Sequence, residues 1–256
     1  MSKLSAEDKF FDLSDYGRYP AKLIARFLVK TSCTPIQVTL IFGVVGAFAI
    51  VAILQGYYIT GALLLILKSI IDAADGELAR IKNMPSYSGR YLDSVFDIIL
   101  NFFFLMAIAH VANQPYWLAF IAFVAIQLQG TLYNYYYLIV RHRSVGGDVT
   151  SKIFEHRSPT AIGNESQKLV DFLFQSYVIL YGGFDKIIHL IDPLAYKVKS
   201  FPKWFMTMIS MYGLGFHLLL MAVFLTMYLP ALIIPVLTIF TLPLFIFVGI
   251  RRLKIK

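Results

Sequence analysis

Asp72-Ala73-Ala74-Asp75-Gly76-Glu77-Leu78-Ala79-Arg80 is followed, after a short polar connector, by Gly89-Arg90-Tyr91-Leu92-Asp93-Ser94-Val95-Phe96-Asp97. Asp72, Asp75, Asp93 and Asp97 stand between long apolar runs. Acids are costly in a bilayer and are rarely placed there without a task. What surrounds them decides the fold.

The 256-residue chain is 58% hydrophobic, only 15% charged, and has a mean hydropathy of +0.69. A soluble domain is usually nearer half apolar or below. This composition predicts an all-α, multi-pass membrane protein, because a helix satisfies its own backbone in lipid. The short alternating segments of a β-barrel are missing. One cysteine, Cys33, excludes an intrachain disulfide and a cysteine metal cluster. Met1–Lys9 is polar and lacks the apolar stretch of a cleavable signal peptide. The net charge of +8 is spread between apolar runs, as membrane topology requires, and predicts no nucleic-acid partner.

Six spans are predicted, near residues 35–54, 59–80, 89–111, 116–140, 205–228 and 231–250. Lys and Arg occupy the N-terminus, the 80–90 loop, the 141–203 connection and the C-terminus, and the other three turns have none. That alternation puts both termini and the acidic motif on the cytoplasmic side. Residues 1–256 read as one transmembrane domain, with a juxtamembrane segment at 1–34 and a long cytoplasmic loop at 144–204. Within 20–30, Lys22, Arg26 and Lys30 share one helical face and Leu23, Ile24, Phe27 and Leu28 fall largely on another. This suits an amphipathic helix at the membrane surface or a plain basic flank, and both can hold. Residues 169–191 are apolar but interrupted by Asp171, Gly182, Gly183, Asp185 and Lys186, which predicts an interfacial or folded-back helix rather than a seventh span.

Helical spacing puts Asp72, Asp75, Gly76 and Ala79 on one face, and Gly89, Asp93 and Asp97 on one face of the next helix. Two antiparallel helices joined by a tight loop then bring four acids together, where repulsion demands a cation. Oxygen ligands without His or Cys select a hard divalent ion such as Mg²⁺, Mn²⁺ or Ca²⁺. Gly76, Ala79 and Gly89 allow either close helix packing or approach of a phosphorylated ligand, to which Arg80 would pair. Cation transport is a competing reading, although the acids lie near one membrane face rather than the midplane.

The stretch follows D-x2-D-G-x2-A-R-x8-G-x3-D-x3-D at all eight fixed positions and resembles the signature of the CDP-alcohol phosphotransferase family. The resemblance implies transfer of a phosphoryl-alcohol from a CDP-linked donor to an acceptor hydroxyl, with release of CMP. It implies Asp72, Asp75, Asp93 and Asp97 as ligands of Mg²⁺ or Mn²⁺, with Asp97 also the base that takes the acceptor's proton. Gly76, Ala79, Arg80, Ser86 and Gly89 would line the CDP-alcohol site. Thr34-Pro35-Ile36-Gln37-Val38-Thr39 is similar to the family's T-P-N-x-x-T entry, with Ile36 in place of Asn. Pro35, Gln37 and Thr39 would therefore also face the donor, or simply start a helix. Lys68, Arg141 and Arg143 are candidates for the acceptor. The implied donor is CDP-diacylglycerol and the acceptor glycerol phosphate, inositol phosphate, inositol or serine, in a membrane-bound homodimer. CDP-choline or CDP-ethanolamine transfer to diacylglycerol is the alternative.

Overall fold

A computed structural model describes Leu4, residues 7–143, Glu155, residues 157–163 and residues 165–255. The expected 144–204 loop is thus described only in part, as is the 1–34 segment. Among the described residues, ten α-helices run in the order α1 (Arg18–Leu28), α2 (Pro35–Leu54), α3 (Tyr58–Ile81), α4 (Tyr87–Val111), α5 (Tyr116–Arg143), α6 (Gln167–Ile191), α7 (Lys203–Ile209), α8 (Leu214–Thr226), α9 (Pro230–Ile239) and α10 (Leu242–Lys254). No strand occurs among the described residues.

Helix ends follow local chemistry. Thr34 caps α2 with Pro35 in its first turn, and Gln37 closes a capping box: Thr34 N–H donates to Gln37 Oε1 at 2.9 Å. Asn83 ends α3 at φ 51°, and Met84 N–H reaches back to Ala79 O at 2.9 Å. Asn113 ends α4 in the same way, with Gln114 N–H on Ala109 O at 2.9 Å. These are left-handed terminators, for which Asn is the usual choice after Gly. Ser86 then caps α4, accepting from Gly89 N–H at 2.8 Å. Stop and start signals so close together join α3 to α4 by a short turn, and α2 packs against both helices.

Among the described residues, four helical stretches are long and apolar enough to cross a membrane: α2, α4, α5, and α9 with α10 taken together; α7 with α8 makes a fifth if that bent pair is one span. The chain is a multi-pass membrane protein. α3 has the length, at 24 residues, but carries Lys68, Asp72 and Asp75 along it. Exposed Ile41, Val44, Phe48, Phe103, Phe120 and Phe245 offer an apolar outer surface. Lipid supplies little hydrophobic drive between helices, so close approach matters more. A Cβ on Gly43 or Gly46 would stand 2.8 Å from Phe96 and 2.6 Å from Leu100, so these glycines let α2 lie against α4. Phe42, Leu65, Phe104, Met221, Leu225 and Leu237 share the main core.

One expected span is bent, and the other stays a single apolar stretch with a short interruption. The 205–228 stretch is divided into α7 and α8, bent by 55°. Gly213 between them is extended (φ −71°, ψ 149°), and N-terminal residues fill the gap: Leu13 N–H donates to Ser210 Oγ at 2.9 Å. The 231–250 stretch is interrupted between Ile239 and Leu242, where Pro243 has no N–H to continue the ladder. Gln129 Nε2 repairs that break, donating to Leu237 O at 3.0 Å and Thr241 Oγ1 at 2.7 Å. Its Oε1 is left to accept from His217 Nε2 at 2.9 Å, which makes His217 a satisfied packing residue.

α6 does not run along the bundle. While the chain advances from Glu165 to Tyr181, its partners on α4 advance only from Tyr87 to Ser94. Asp192, just past the other end of α6, accepts from Tyr136 at 2.7 Å and pairs with Arg251 near the end of α10. The α4–α5 hairpin places the start of α4 and the end of α5 together, so both ends of α6 meet one end of the bundle. α6 therefore lies across it, and it is not among the helices long and apolar enough to cross a membrane.

Candidate functional site

The α3–α4 hairpin, with α2 beside it, builds the site. Asp72 and Asp75 lie one turn apart on α3, and Asp93 comes from α4. One carboxylate oxygen from each lies within 4.8 Å of the others. Asp93 Oδ1 is buried and has no hydrogen-bond partner. An orphaned buried carboxylate oxygen calls for an explanation, and a cation is one. The donor set is all oxygen, which fits a hard divalent metal.

Asp97 stands apart from these three. Its Oδ1 accepts from Lys68 Nζ, and the same ammonium donates to Asp72 Oδ2 at 2.8 Å. Lys68 is 1% exposed and lies 4.5 Å from the centroid of the Phe42 ring. Two carboxylates and an aromatic face thus occupy its surroundings. It does not snorkel to the surface, and its donors are turned inward, not toward an incoming acceptor.

Thr39 reaches in from α2. Its hydroxyl donates to Asp75 Oδ2 at 2.6 Å, with the longer Pro35 O contact at 3.2 Å. The side chain expected to face the donor therefore orients a carboxylate. Pro35 is buried at the start of α2, and Gln37 is exposed with its amide committed to the capping box. The helix-start reading accounts for both placements.

Next to Asp75, a Cβ on Gly76 would meet only the Arg80 guanidinium, Nη1 at 3.5 Å and Nη2 at 3.8 Å. That leaves room beside the carboxylates, bordered by half-buried Ala79. Arg80 Nη2 pairs with buried Glu77 at 3.0 Å, and its Nε has no hydrogen-bond partner. Glu77 so holds the guanidinium over Gly76. Across the hairpin, a Cβ on Gly89 would lie 2.9 Å from Ser86 Oγ and 3.4 Å from Ile36. The tight contact is with the Ser86 cap of the same helix, whereas Ile36 of α2 stands at ordinary van der Waals distance.

Glu165 is an unforeseen participant. Its carboxylate sits on the first turn of α4, accepting from Ser86 Oγ at 2.6 Å, Ser88 N–H at 2.8 Å, Tyr87 N–H at 3.1 Å and the Ser88 hydroxyl. Burial pushes this carboxyl up, but the hydrogen bonds from Ser86, Ser88 and Tyr87 outweigh it and hold it below the ordinary range. Ser86 is thereby engaged twice, as cap and as donor to Glu165. In sequence, Glu165 is only the middle of Asn164-Glu165-Ser166, which matches a glycosylation sequon, and Asn164 lies outside the described residues.

The N-terminal segment was also illegible. Asp12 accepts from Tyr133 and from Ser14 Oγ at 2.7 Å, and Gly17 packs against Ile70 of α3. These contacts carry Tyr16 to the flank of α3 by Lys68. Burial raises the Tyr16 phenol above its ordinary range. Arg143, by contrast, donates to Tyr196 O among residues lining a separate cavity with Lys199 and Lys203. Arg141 lies two residues, about half a turn, before it on α5. The contacts of Arg143 thus lead to Tyr196 and that cavity rather than to the four acids.

A family model described as CDP-alcohol phosphatidyltransferase matches residues 33–247. Over 81 residues the chain is 43% identical to the "Bifunctional IPC transferase and DIPP synthase" of Archaeoglobus fulgidus, covering 32% of this chain and 16% of that one. Over 100 residues it is 34% identical to the protein of the same description from Thermococcus kodakarensis, covering 39% and 23%. The matched stretches span less than a quarter of either relative.

Proposed function

This chain belongs to the CDP-alcohol phosphatidyltransferase family, and we propose that it moves the phosphatidyl group of CDP-diacylglycerol onto a polar alcohol, releasing CMP. The acceptor is glycerol phosphate, inositol phosphate, inositol or serine. One observation carries the reading: Asp72, Asp75 and Asp93 converge within 4.8 Å, with Asp97 beside them but outside the group. Three acids are arranged to hold and one to react.

The acceptor's hydroxyl oxygen attacks the phosphorus that bears diacylglycerol. The P–O bond to CMP breaks, CMP leaves with that electron pair, and Asp97 takes the hydroxyl proton. Asp97 suits this role because Lys68 fixes one of its oxygens and leaves the other to accept. Asp72, Asp75 and Asp93 would hold Mg²⁺ or Mn²⁺, with Thr39 orienting Asp75. A divalent ion bound there neutralises the pyrophosphate and the departing CMP. The space by Gly76, with Ala79, Gly89 and Ser86 around it, receives the nucleotide, and Arg80 pairs with phosphate.

The placement suits one lipid and one water-soluble partner. We assign six spans: α2, α3, α4, α5, α7 with α8, and α9 with α10. The basic loops put the acidic end of the bundle in the cytoplasm. α1 buries Ala21 and Ala25 against α3 and exposes Leu23 and Phe27, which supports an interfacial helix. Residues 1–256 act as one domain, in a homodimer.

The test supplies purified protein in bilayers with CDP-diacylglycerol and each acceptor in turn, then with CDP-choline or CDP-ethanolamine plus diacylglycerol. CMP release is expected with CDP-diacylglycerol, is abolished by chelation, and is lost in Asp97→Asn while donor binding persists. CMP formed only from CDP-choline or CDP-ethanolamine would reverse the donor and acceptor. Metal flux without nucleotide turnover would replace the enzyme by a cation transporter.

A further inference from the structure

Lys68 is the unusual member of the acidic site. A lysine one turn before Asp72 shares its helical face, which accounts for the contact with that acid. It does not account for the second contact, made across the hairpin to Asp97. Nor is the side chain there by default: a long, strongly hydrated cation normally keeps its head in water, yet Lys68 is 1% exposed. Phe42 of α2 closes the remaining side, 4.5 Å from Nζ. Three helices therefore agree on where one ammonium sits.

That place is where a second cation would have to go. Asp72 takes part in two groupings, with Asp75 and Asp93 on one side and with Asp97, through Lys68, on the other. Four carboxylates could accommodate two divalent ions, the second shared by Asp72 and Asp97. Such an ion binds oxygen at about 2.0–2.2 Å, inside the hydrogen-bond radius that Nζ already fills. Bringing it in means expelling a buried ammonium or setting two cations side by side.

We infer that Lys68 substitutes for a second divalent cation, so that this acidic site binds one metal ion per chain. The inference rests on the reading that Asp72, Asp75 and Asp93 hold a metal, and it adds how many and why. The ammonium supplies one fixed positive charge where a second ion would supply two. It also leaves Asp97 free of a metal bond, with one oxygen open to take a proton.

The test counts metal in full-length protein, in detergent, with Mn²⁺ as the probe. Equilibrium dialysis is expected to give one Mn²⁺ per chain at saturation, with the electron paramagnetic resonance signal of an isolated ion. Lys68→Met removes the charge at similar length and is expected to raise the count to two, with a spin-coupled signal. Lys68→Arg keeps the charge and is expected to stay at one. Two coupled ions in the wild type would overturn the inference and leave the metal reading intact. No bound Mn²⁺ would overturn both. One ion in both the wild type and a folded Lys68→Met would show that the ammonium is not what excludes the second. The wild-type spectrum does not depend on any variant folding.

Discussion

Thr39→Val is the most direct probe of how α2 serves the acidic site. Thr39 is 2% exposed, and its hydroxyl donates to Asp75 Oδ2 at 2.6 Å. Valine keeps the branched shape and removes only the donor. A hydrogen bond to a charged group contributes about 1.5–3 kcal/mol. Independently, losing a group that orients a metal ligand lowers metal affinity by about 10–100-fold, which converts to about 1.4–2.8 kcal/mol. The two routes agree, so the Kd for Mn²⁺ is expected to rise by about 10–100-fold. Isothermal titration in detergent reads the affinity, and CMP release against Mn²⁺ concentration reads its consequence. Turnover at saturating metal is expected to recover most of its wild-type value, because Thr39 itself touches no reacting atom. Thr39→Ser, which restores the hydroxyl, is expected to bind near normally. A Kd for Thr39→Val equal to that of the wild type would refute the reasoning, as would a loss of turnover that excess Mn²⁺ does not repair.

Three other outcomes are expected. Arg251→Leu takes from Asp192, at 0% exposure, its buried charged partner and leaves it only the more exposed Arg252, at 4.0 Å; breaking one side of a buried pair costs about 3–5 kcal/mol. Thermal unfolding should show that loss, and Arg251→Leu with Asp192→Asn should recover part of it; an unchanged midpoint in the single variant counts against the pairing. Gly215→Ala would drive a Cβ into Ser14 O, a backbone atom. It is expected to drive residues 12–17 out of the break before α8, seen as faster hydrogen exchange there, with about 1–3 kcal/mol of lost stability. Exchange unaltered in that segment would contradict the fit. For Glu165, the folded carboxyl lies below its ordinary value of 4.5. Its stabilisation is therefore complete above that value and is lost as pH falls through the folded pKa. Protection of the Tyr87 and Ser88 amides should drop over that acidic range, and Glu165→Gln should lack the step; an identical profile in both would remove Glu165 as the cause.

Much of this organisation was legible in the order of residues. The start of α2 is written in Thr34-Pro35 with Gln37, and the end of α3 in Asn83 followed by Pro85 and Ser86. Those signals act within a few residues, so they survive any tertiary context. The acidic motif was equally local, since Asp72 with Asp75, and Asp93 with Asp97, are set by helical steps and a short connector. The breaks at Gly213 and Pro243 were less legible. Glycine and proline occur inside many spans, and their effect here depends on Leu13 and Gln129 meeting the freed backbone.

What the sequence by itself determined is an all-helical membrane protein with four acids presented on one hairpin. Periodicity, caps and charge placement are near-neighbour properties, so the chain declares them without folding. The tertiary structure decided what each acid does. Thr39 meets Asp75 across 36 positions, Lys68 meets Asp97 across 29, and Glu165 meets Ser88 across 77. No spacing rule reaches that far. Packing of α3 and α4 against α2 separates a triad open to a cation from one carboxylate tethered by an ammonium. That division exists because a buried charge must find a partner, and only the folded chain determines which partner is within reach.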